Sequence, residues 1–294
     1  MHASIDAYPV LVLPQVQHLN GEVAMSEGDQ NAVSRREAVK LAGVGALATT
    51  AAGQAVAPRA AKAGPLKTKA IFFDVGGTML DWTVMPAKIE AYLGERNISV
   101  DGGDYWPSWR SQLFAYMMYN TMIDRAFVPL EELATRATLA HAQKSGLDMD
   151  RDTAGGIYPL LGELDTYDEI LPSLKRMRGA GYKLVPHTQL SEPVLRRALL
   201  GRFDWDWFFT SESFAMYKPN RPFYFKALDE LGLDVAEVLY VSSNQFDVFA
   251  AKGLGFRVIW VDRWDQALEP YGYTPDWRVR DFAEAADMLE TETP

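Results

Sequence analysis

The sequence predicts an α/β protein: a parallel sheet with a helical cap inserted after its first strand. Two observations carry this. Short apolar runs alternate with helical stretches along the later part of the chain, as in a parallel sheet with crossover helices. Between the first and second runs, roughly a hundred residues show apolar spacing of three and four and little strand character. An insert at that point covers the carboxyl edge of the sheet.

Residues 1–63 stand apart from this pattern. They hold five basic residues (Arg35, Arg36, Lys40, Arg59, Lys62) and five acidic ones (Asp6, Glu22, Glu27, Asp29, Glu37), so the other 231 residues carry the whole net charge of −10. Ser34-Arg35-Arg36-Glu37-Ala38-Val39-Lys40 resembles a twin-arginine export signal. A mild apolar run from Leu41 to about Ala52 follows, too short and weak to span a bilayer as a permanent helix. Ala55-Val56-Ala57 precedes Pro58, a poor cleavage point, whereas Ala61-Lys62-Ala63 precedes Gly64 and suits one. The resemblance implies a cleaved signal over 1–63, the twin-arginine export machinery as a partner, and a location in the bacterial periplasm. Met25 offers a start that gives the signal an ordinary length.

The strand-like runs of the remaining chain are Ala70–Phe73, Lys183–Val185, Trp207–Thr210, Val238–Val241 and Arg257–Val261. Helical stretches between the later runs are Asp168–Gly179, Glu192–Leu200, Pro222–Leu231 and Asp247–Gly253, each ending near a glycine or another breaker. The insert reads as helices over Pro86–Arg96, Trp106–Asn120, Leu130–Lys144 and Ala154–Leu164, with Leu113, Met117, Met118 and Met122 at helical spacing. The expected division is a core of 64–83 and 166–294 and a cap of 84–165.

Composition narrows the function. With 29 basic and 39 acidic residues, the chain is a poor nucleic-acid binder, because such binding draws on positive charge. Cysteine is absent, which removes disulfides, thiolate metal sites and cysteine nucleophiles. The histidines are four (His2, His18, His141 and His187), which argues against a histidine metal cluster. In an open parallel sheet, reactive groups collect at the carboxyl ends of the strands. Those ends carry Asp74, Thr188, Lys218 in the loop after the third run, and Ser242-Ser243-Asn244 with Asp247. Singly, each suits a turn or a cap. Together, at successive strand ends, they point to a reaction centre.

Phe72-Phe73-Asp74-Val75-Gly76-Gly77-Thr78 resembles the first motif of the haloacid dehalogenase superfamily. Thr188 fits its second motif, Lys218-Pro219 its third, and Val241-Ser242-Ser243-Asn244-Gln245-Phe246-Asp247 the fourth, in the form of the type II 2-haloacid dehalogenases. The closing segment Tyr273-Thr274-Pro275-Asp276-Trp277 is also similar to theirs. The resemblance covers residues 66–290 and implies a Rossmann-like core.

It also separates two chemistries. The phosphatase branch needs a second Asp two residues after the nucleophile and an acid in the fourth motif. Those positions are Gly76 and Ser243 here. Magnesium wants carboxylates to offset its charge, and phosphoryl transfer leans on such a cation. No metal and no cofactor is therefore expected. The dehalogenase branch expels a halide, which needs no proton. The resemblance implies Asp74 as nucleophile, forming an ester that water hydrolyses at its carbonyl. Lys218 would hold Asp74 ionised, and Asp247 would pair with Lys218 and help activate the water, as base or orienter. Thr78, Ser242 and Asn244 would hydrogen-bond Asp74 and the water. Thr188 and Gln189 would meet the substrate carboxylate. Arg110, in Trp109-Arg110-Ser111-Gln112-Leu113, matches the cap arginine that receives the halide. Tyr224 and Phe246 match pocket residues, although the core could claim either.

Three positions depart from that pattern. Gly76 stands where the relatives carry a Tyr, which removes a wall and a hydroxyl from the pocket. Gln189 replaces an Asn, adding a methylene. Pro186-His187 replaces plain apolar strand. Proline cannot donate to a ladder, so the strand end is expected to distort, with His187 either a neutral strand-end residue or a polar group of the pocket. The expected activity is metal-independent hydrolysis of short 2-haloalkanoic acids to 2-hydroxy acids, with inversion. The alternatives are a repurposed hydrolase for another ester or phosphate, and a silent binding protein. A homodimer is open.

Overall fold

The computed structural model describes residues 68–123 and 126–291. The export signal expected over 1–63 lies outside the described residues. Five parallel strands form one sheet in the order β2-β1-β3-β4-β5. They are β1 (Ala70–Phe73), β2 (Lys183–Pro186), β3 (Val238–Ser242), β4 (Arg257–Val261) and β5 (Trp277–Val279). The central strands are apolar throughout because both faces are covered. Ile71, Phe73, Leu239 and Val241 enter one buried cluster; Ala70, Phe72, Val238 and Tyr240 enter the other. Period-two alternation thus persists in strands whose sequence shows none.

Register puts the reactive ends level. Phe73 faces Pro186 on one side and Val241 on the other, so Asp74, His187 and Ser242 follow at one height. The Asp74 N–H donates to the Val241 carbonyl at 2.9 Å, and the His187 N–H to that of Phe73 at 2.7 Å.

The distortion expected at Pro186 does not occur. Pro186 keeps its place in the β1–β2 register. Its nitrogen faces away from β1, on the outer edge of the sheet, where its carbonyl accepts the Phe209 N–H at 2.8 Å. No ladder bond is lost, which is where proline is tolerated. The same geometry corrects the third run. Trp207–Thr210 forms no strand and contributes one parallel bridge, Phe209 to His187. The outward-facing backbone nitrogens of β2 are those of Leu184 and Pro186. Leu184 gives its proton to the Asp206 carboxylate at 2.9 Å, and Pro186 has none.

The insert begins beside Trp82, in the 3-10 turn Trp82–Val84. It comprises α1 (Met85–Gly94), α2 (Gly102–Met122), α3 (Leu130–Lys144) and α4 (Arg151–Gly155). The stretch expected as one helix over Ala154–Leu164 is broken: α4 ends at Gly155-Gly156 and a 3-10 turn follows over Tyr158–Glu163, with Pro159 near its start. The two linkers pair with each other, the Asp81 N–H to the Asp165 carbonyl at 2.9 Å and the Tyr167 N–H to that of Met79 at 3.1 Å. The Trp109 indole N–H donates to the Thr138 hydroxyl at 2.7 Å and ties α2 to α3.

The core helices are α5 (Ile170–Gly179), α6 (Glu192–Ala198), α7 (Ser211–Phe214), α8 (Arg221–Leu231), α9 (Gln245–Gly253) and α10 (Phe282–Thr291). The sequence reading missed β5 and α10. A three-residue edge strand with an exposed Arg278 shows too little pattern to be read.

Candidate active site

Asp74 is the first residue past β1 and is 6% exposed. Its two oxygens are held differently. Oδ2 accepts the Thr78 hydroxyl at 2.8 Å and the Asn244 amide at 2.5 Å. Among the described residues, Oδ1 accepts only the Lys218 ammonium, at 3.1 Å. One oxygen is therefore clamped by two donors and the other is bound by one.

Lys218, at the cis Lys218–Pro219 bond, is fully buried. It also donates to Asp247 Oδ2 at 2.7 Å. A buried ammonium needs such compensation, because desolvation outweighs a single poor contact. Two carboxylates around one lysine leave the cluster with a net negative charge.

Asp247 lies on the first turn of α9 and is wholly buried. The Tyr224 hydroxyl donates to its Oδ1 at 2.8 Å, and the Tyr240 hydroxyl lies 3.3–3.4 Å from both oxygens. Burial pushes the Asp247 carboxyl above its ordinary value. The charge of Lys218 opposes that shift and the charge of Asp74 reinforces it. Burial and then the charge of Asp247 push the Tyr224 hydroxyl well up, so it remains a donor.

Asn244 caps α9, and its amide spends its second proton on the Gly76 carbonyl at 3.1 Å. Ser242 is placed otherwise than expected: its hydroxyl accepts the Asn244 N–H at 3.0 Å and makes no hydrogen bond to Asp74. It shapes the turn that aims Asn244. Ser243 does what was expected of its neighbour. Its N–H donates to Thr78 Oγ1 at 2.9 Å, and its hydroxyl meets the same oxygen at 3.0 Å. Thr78 has spent its one proton on Asp74, so Ser243 is the donor in both contacts. Tyr224 also needs correction as a pocket residue: it is wholly buried and braces Asp247 from beneath.

His187 belongs to the core. It is fully buried, stacks on Phe72 at 5.3 Å, and is surrounded by Phe209, Phe223, Tyr224 and Tyr240. Its Nδ1 lies 3.0 Å from the Tyr240 hydroxyl. Burial, and then the charge of Lys218, hold its pKa well below the ordinary value, so it is neutral. If Tyr240 points its proton at Asp247, His187 carries its own proton on Nδ1.

Above this floor, α2 presents Trp106, Arg110 and Phe114 at spacings of four, one helical face. Phe114 meets Phe246 of α9 edge-on at 5.0 Å. The Arg110 guanidinium lies over the Trp82 ring, 4.0 Å from its centroid. The lost wall expected at Gly76 is filled: a Cβ there would stand 2.5 Å from Trp82 Cζ2. Thr188 is buried, and its hydroxyl accepts the Leu190 N–H at 3.2 Å. Gln189 Oε1 is buried without a hydrogen-bond partner. Among the described residues, no group of three or more His, Asp or Glu is arranged to hold a metal ion.

A family profile described as haloacid dehalogenase-like hydrolase matches residues 68–255. An (S)-2-haloacid dehalogenase from Pseudomonas sp. (strain YL) is 30% identical over 230 residues, covering 76% of this chain and 95% of that protein. The crystal structure of an L-2-haloacid dehalogenase superposes with a TM-score of 0.68 at 20% identity, over 76% of this chain and 99% of the other. The L-2-haloacid dehalogenase of Xanthobacter autotrophicus, solved with chloropropionic acid covalently bound, gives 0.66 at 22% identity, over 75% and 98%. At that identity the two structures speak for the fold.

Proposed function

This chain belongs to the haloacid dehalogenase-like hydrolases, and from that premise we propose that it hydrolyses short 2-haloalkanoic acids to 2-hydroxy acids. One observation carries the reading: Asp74 has one oxygen clamped by Thr78 and Asn244 and the other bound by the Lys218 ammonium. Asp74 Oδ1 attacks the carbon that bears the halogen. The new C–O bond forms as the carbon–halogen bond breaks, the halide departs with the electron pair, and the carbon inverts. Arg110 offsets the charge of the halide, and Thr188 and Gln189 face the substrate carboxylate. Water then attacks the Asp74 carbonyl carbon as Asp247 takes up one of its protons. The bond from that carbon to the substrate oxygen breaks, and the departing alkoxide takes the proton from Asp247 to become the 2-hydroxy acid. Asp74 returns to a carboxylate as its remaining proton passes to solvent. Burial raises the proton affinity of Asp247, which suits a base. Departure of the halide needs no leaving-group acid, which agrees with Gly76 and Ser243 at the positions where a second and third acid would stand.

The test is halide release from each 2-chloropropionate enantiomer with EDTA present. Release from the S enantiomer alone, unaffected by EDTA, is the expected result. No release from either would overturn the reading. We also infer export through the twin-arginine route from Ser34–Lys40 and the Ala61-Lys62-Ala63 site. Activity retained in the cytoplasmic fraction after expression of the full chain would exclude it.

A further inference from the structure

Trp82 stands at the junction of linker and cap, outside every motif. Its ring covers both glycines of the nucleophile loop. A Cβ on Gly76 would lie 2.5 Å from Cζ2, and one on Gly77, whose φ is +73°, would lie 2.9 Å from Cε3. With Trp82 in place, glycine alone fits at 76 without a shift. The same ring carries Arg110 at 4.0 Å and meets Trp106 edge-on, with centroids 5.5 Å apart at 89°. A guanidinium over an indole face is attracted by the ring quadrupole and loses freedom to swing. The indole Nε1 is buried and has no hydrogen-bond partner. It is bonded to Cε2, which lies 3.4 Å from the Gly76 Cβ position. That unspent donor is therefore one bond beyond the ring atoms that meet Gly76, which is two residues from the reacting carboxylate.

We propose that Trp82 is the specificity wall of the pocket and the positioning residue for Arg110, and that its Nε1–H joins Arg110 in seating the departing halide. Gly76 and Trp82 form one device. The bulk missing from the loop is supplied from the cap side, and the glycine is what admits it. The proposal rests on the haloacid reading above.

The experiment uses the full chain as wild type, Trp82→Phe, Trp82→Ala, Gly76→Ala and the double variant Gly76→Ala/Trp82→Val. Each is read for kcat and KM with (S)-2-chloropropionate, for inhibition by bromide, and for melting temperature. Trp82→Ala should raise KM and the bromide inhibition constant about tenfold, with a smaller change in kcat. Trp82→Phe, which keeps the ring and loses the donor, should recover KM but not bromide inhibition. Gly76→Ala should lower the melting temperature, and Trp82→Val on top of it should restore it. A merely structural role would lower kcat through loss of folded enzyme and leave KM and bromide inhibition in place. Two results would overturn the proposal while leaving the haloacid reading intact: Trp82→Ala with wild-type KM and bromide inhibition, or Gly76→Ala tolerated with Trp82 present. An inactive wild type would end both.

Discussion

Beneath the reacting carboxylate, Lys218 and Asp247 are wholly buried, and the Lys218 charge and both tyrosine hydroxyls converge on Asp247. Above it, Trp82 and Arg110 are part-exposed and are joined by ring contacts. The floor is electrostatic and costly to disturb, because an unpaired buried charge has no water to fall back on. The roof is packing and cation–π attraction, which is weaker and more tolerant of repacking. Floor variants should therefore lose stability and chemistry together, whereas roof variants should lose substrate handling while staying folded.

The largest effect tests the floor without disturbing its shape. Asp74→Asn keeps the size and removes the nucleophile, so halide release in a rapid assay should fall on the order of 10⁴-fold or more. Near-normal release would move the chemistry elsewhere.

Lys218→Met comes next. It leaves Asp74 and Asp247 facing each other without their shared cation. Urea unfolding should show a loss of about 3–5 kcal/mol, with activity lost as well. A stable Lys218→Met would show that the floor is less dependent on charge than its burial implies.

Arg110→Gln sharpens the contrast from the other side. Turnover should fall by roughly one to two orders of magnitude, as for a lost charge contact to the leaving group. Unfolding free energy should stay within about 0.5 kcal/mol, because Arg110 is part-exposed. Equal destabilisation by Arg110→Gln and Lys218→Met would erase the distinction between roof and floor.

The smallest effect is a shift in pH dependence. Asp247 works as the ionised form, and burial raises its pKa. Activity should therefore fall as pH drops through a range above the ordinary carboxylate value. The Tyr224 hydroxyl donates to that ionised form at 2.8 Å and favours it. Removing the donor in Tyr224→Phe raises the Asp247 pKa further, so the acid limb of kcat should move to higher pH, by roughly one unit. A limb that stays put, or moves down, would take Asp247 out of the proton-accepting role.

Much of the floor was legible in sequence. Asp74 follows the apolar run of β1 and Asp247 follows Ser242-Ser243-Asn244 past β3, where a parallel sheet collects reactive groups, whereas Lys218 was marked by the family motif it forms with Pro219. Ser242 was legible as a site residue, but its task was not. Whether a hydroxyl at that turn faces Asp74 or the next N–H is settled by a backbone torsion that residue type does not reveal. Tyr240 was hidden because it sits in an apolar strand run, and its hydroxyl matters only because α9 brings Asp247 over it. The roof was barely legible. Arg110 was found by its motif, whereas Trp82 carried no signal except its bulk, a few residues after a pair of glycines.

By itself the sequence determined the sheet of parallel strands and the place of the cap, and its resemblance to a known family pointed to the nucleophile and its ion pair. The strands and the insert follow from apolar periodicity, and Asp74, Lys218 and Asp247 from the family motifs they resemble. Only the tertiary structure decided that Tyr224 braces Asp247, that Ser243 aims Thr78, and that Trp82 occupies the space over Gly76. Tyr224 with Asp247 and Ser243 with Thr78 join side chains on different elements, so their distances are set by how helices and sheet pack. Trp82 lies close to Gly76 in sequence, yet its ring is turned onto the loop by Trp106 and Arg110 of a helix further along.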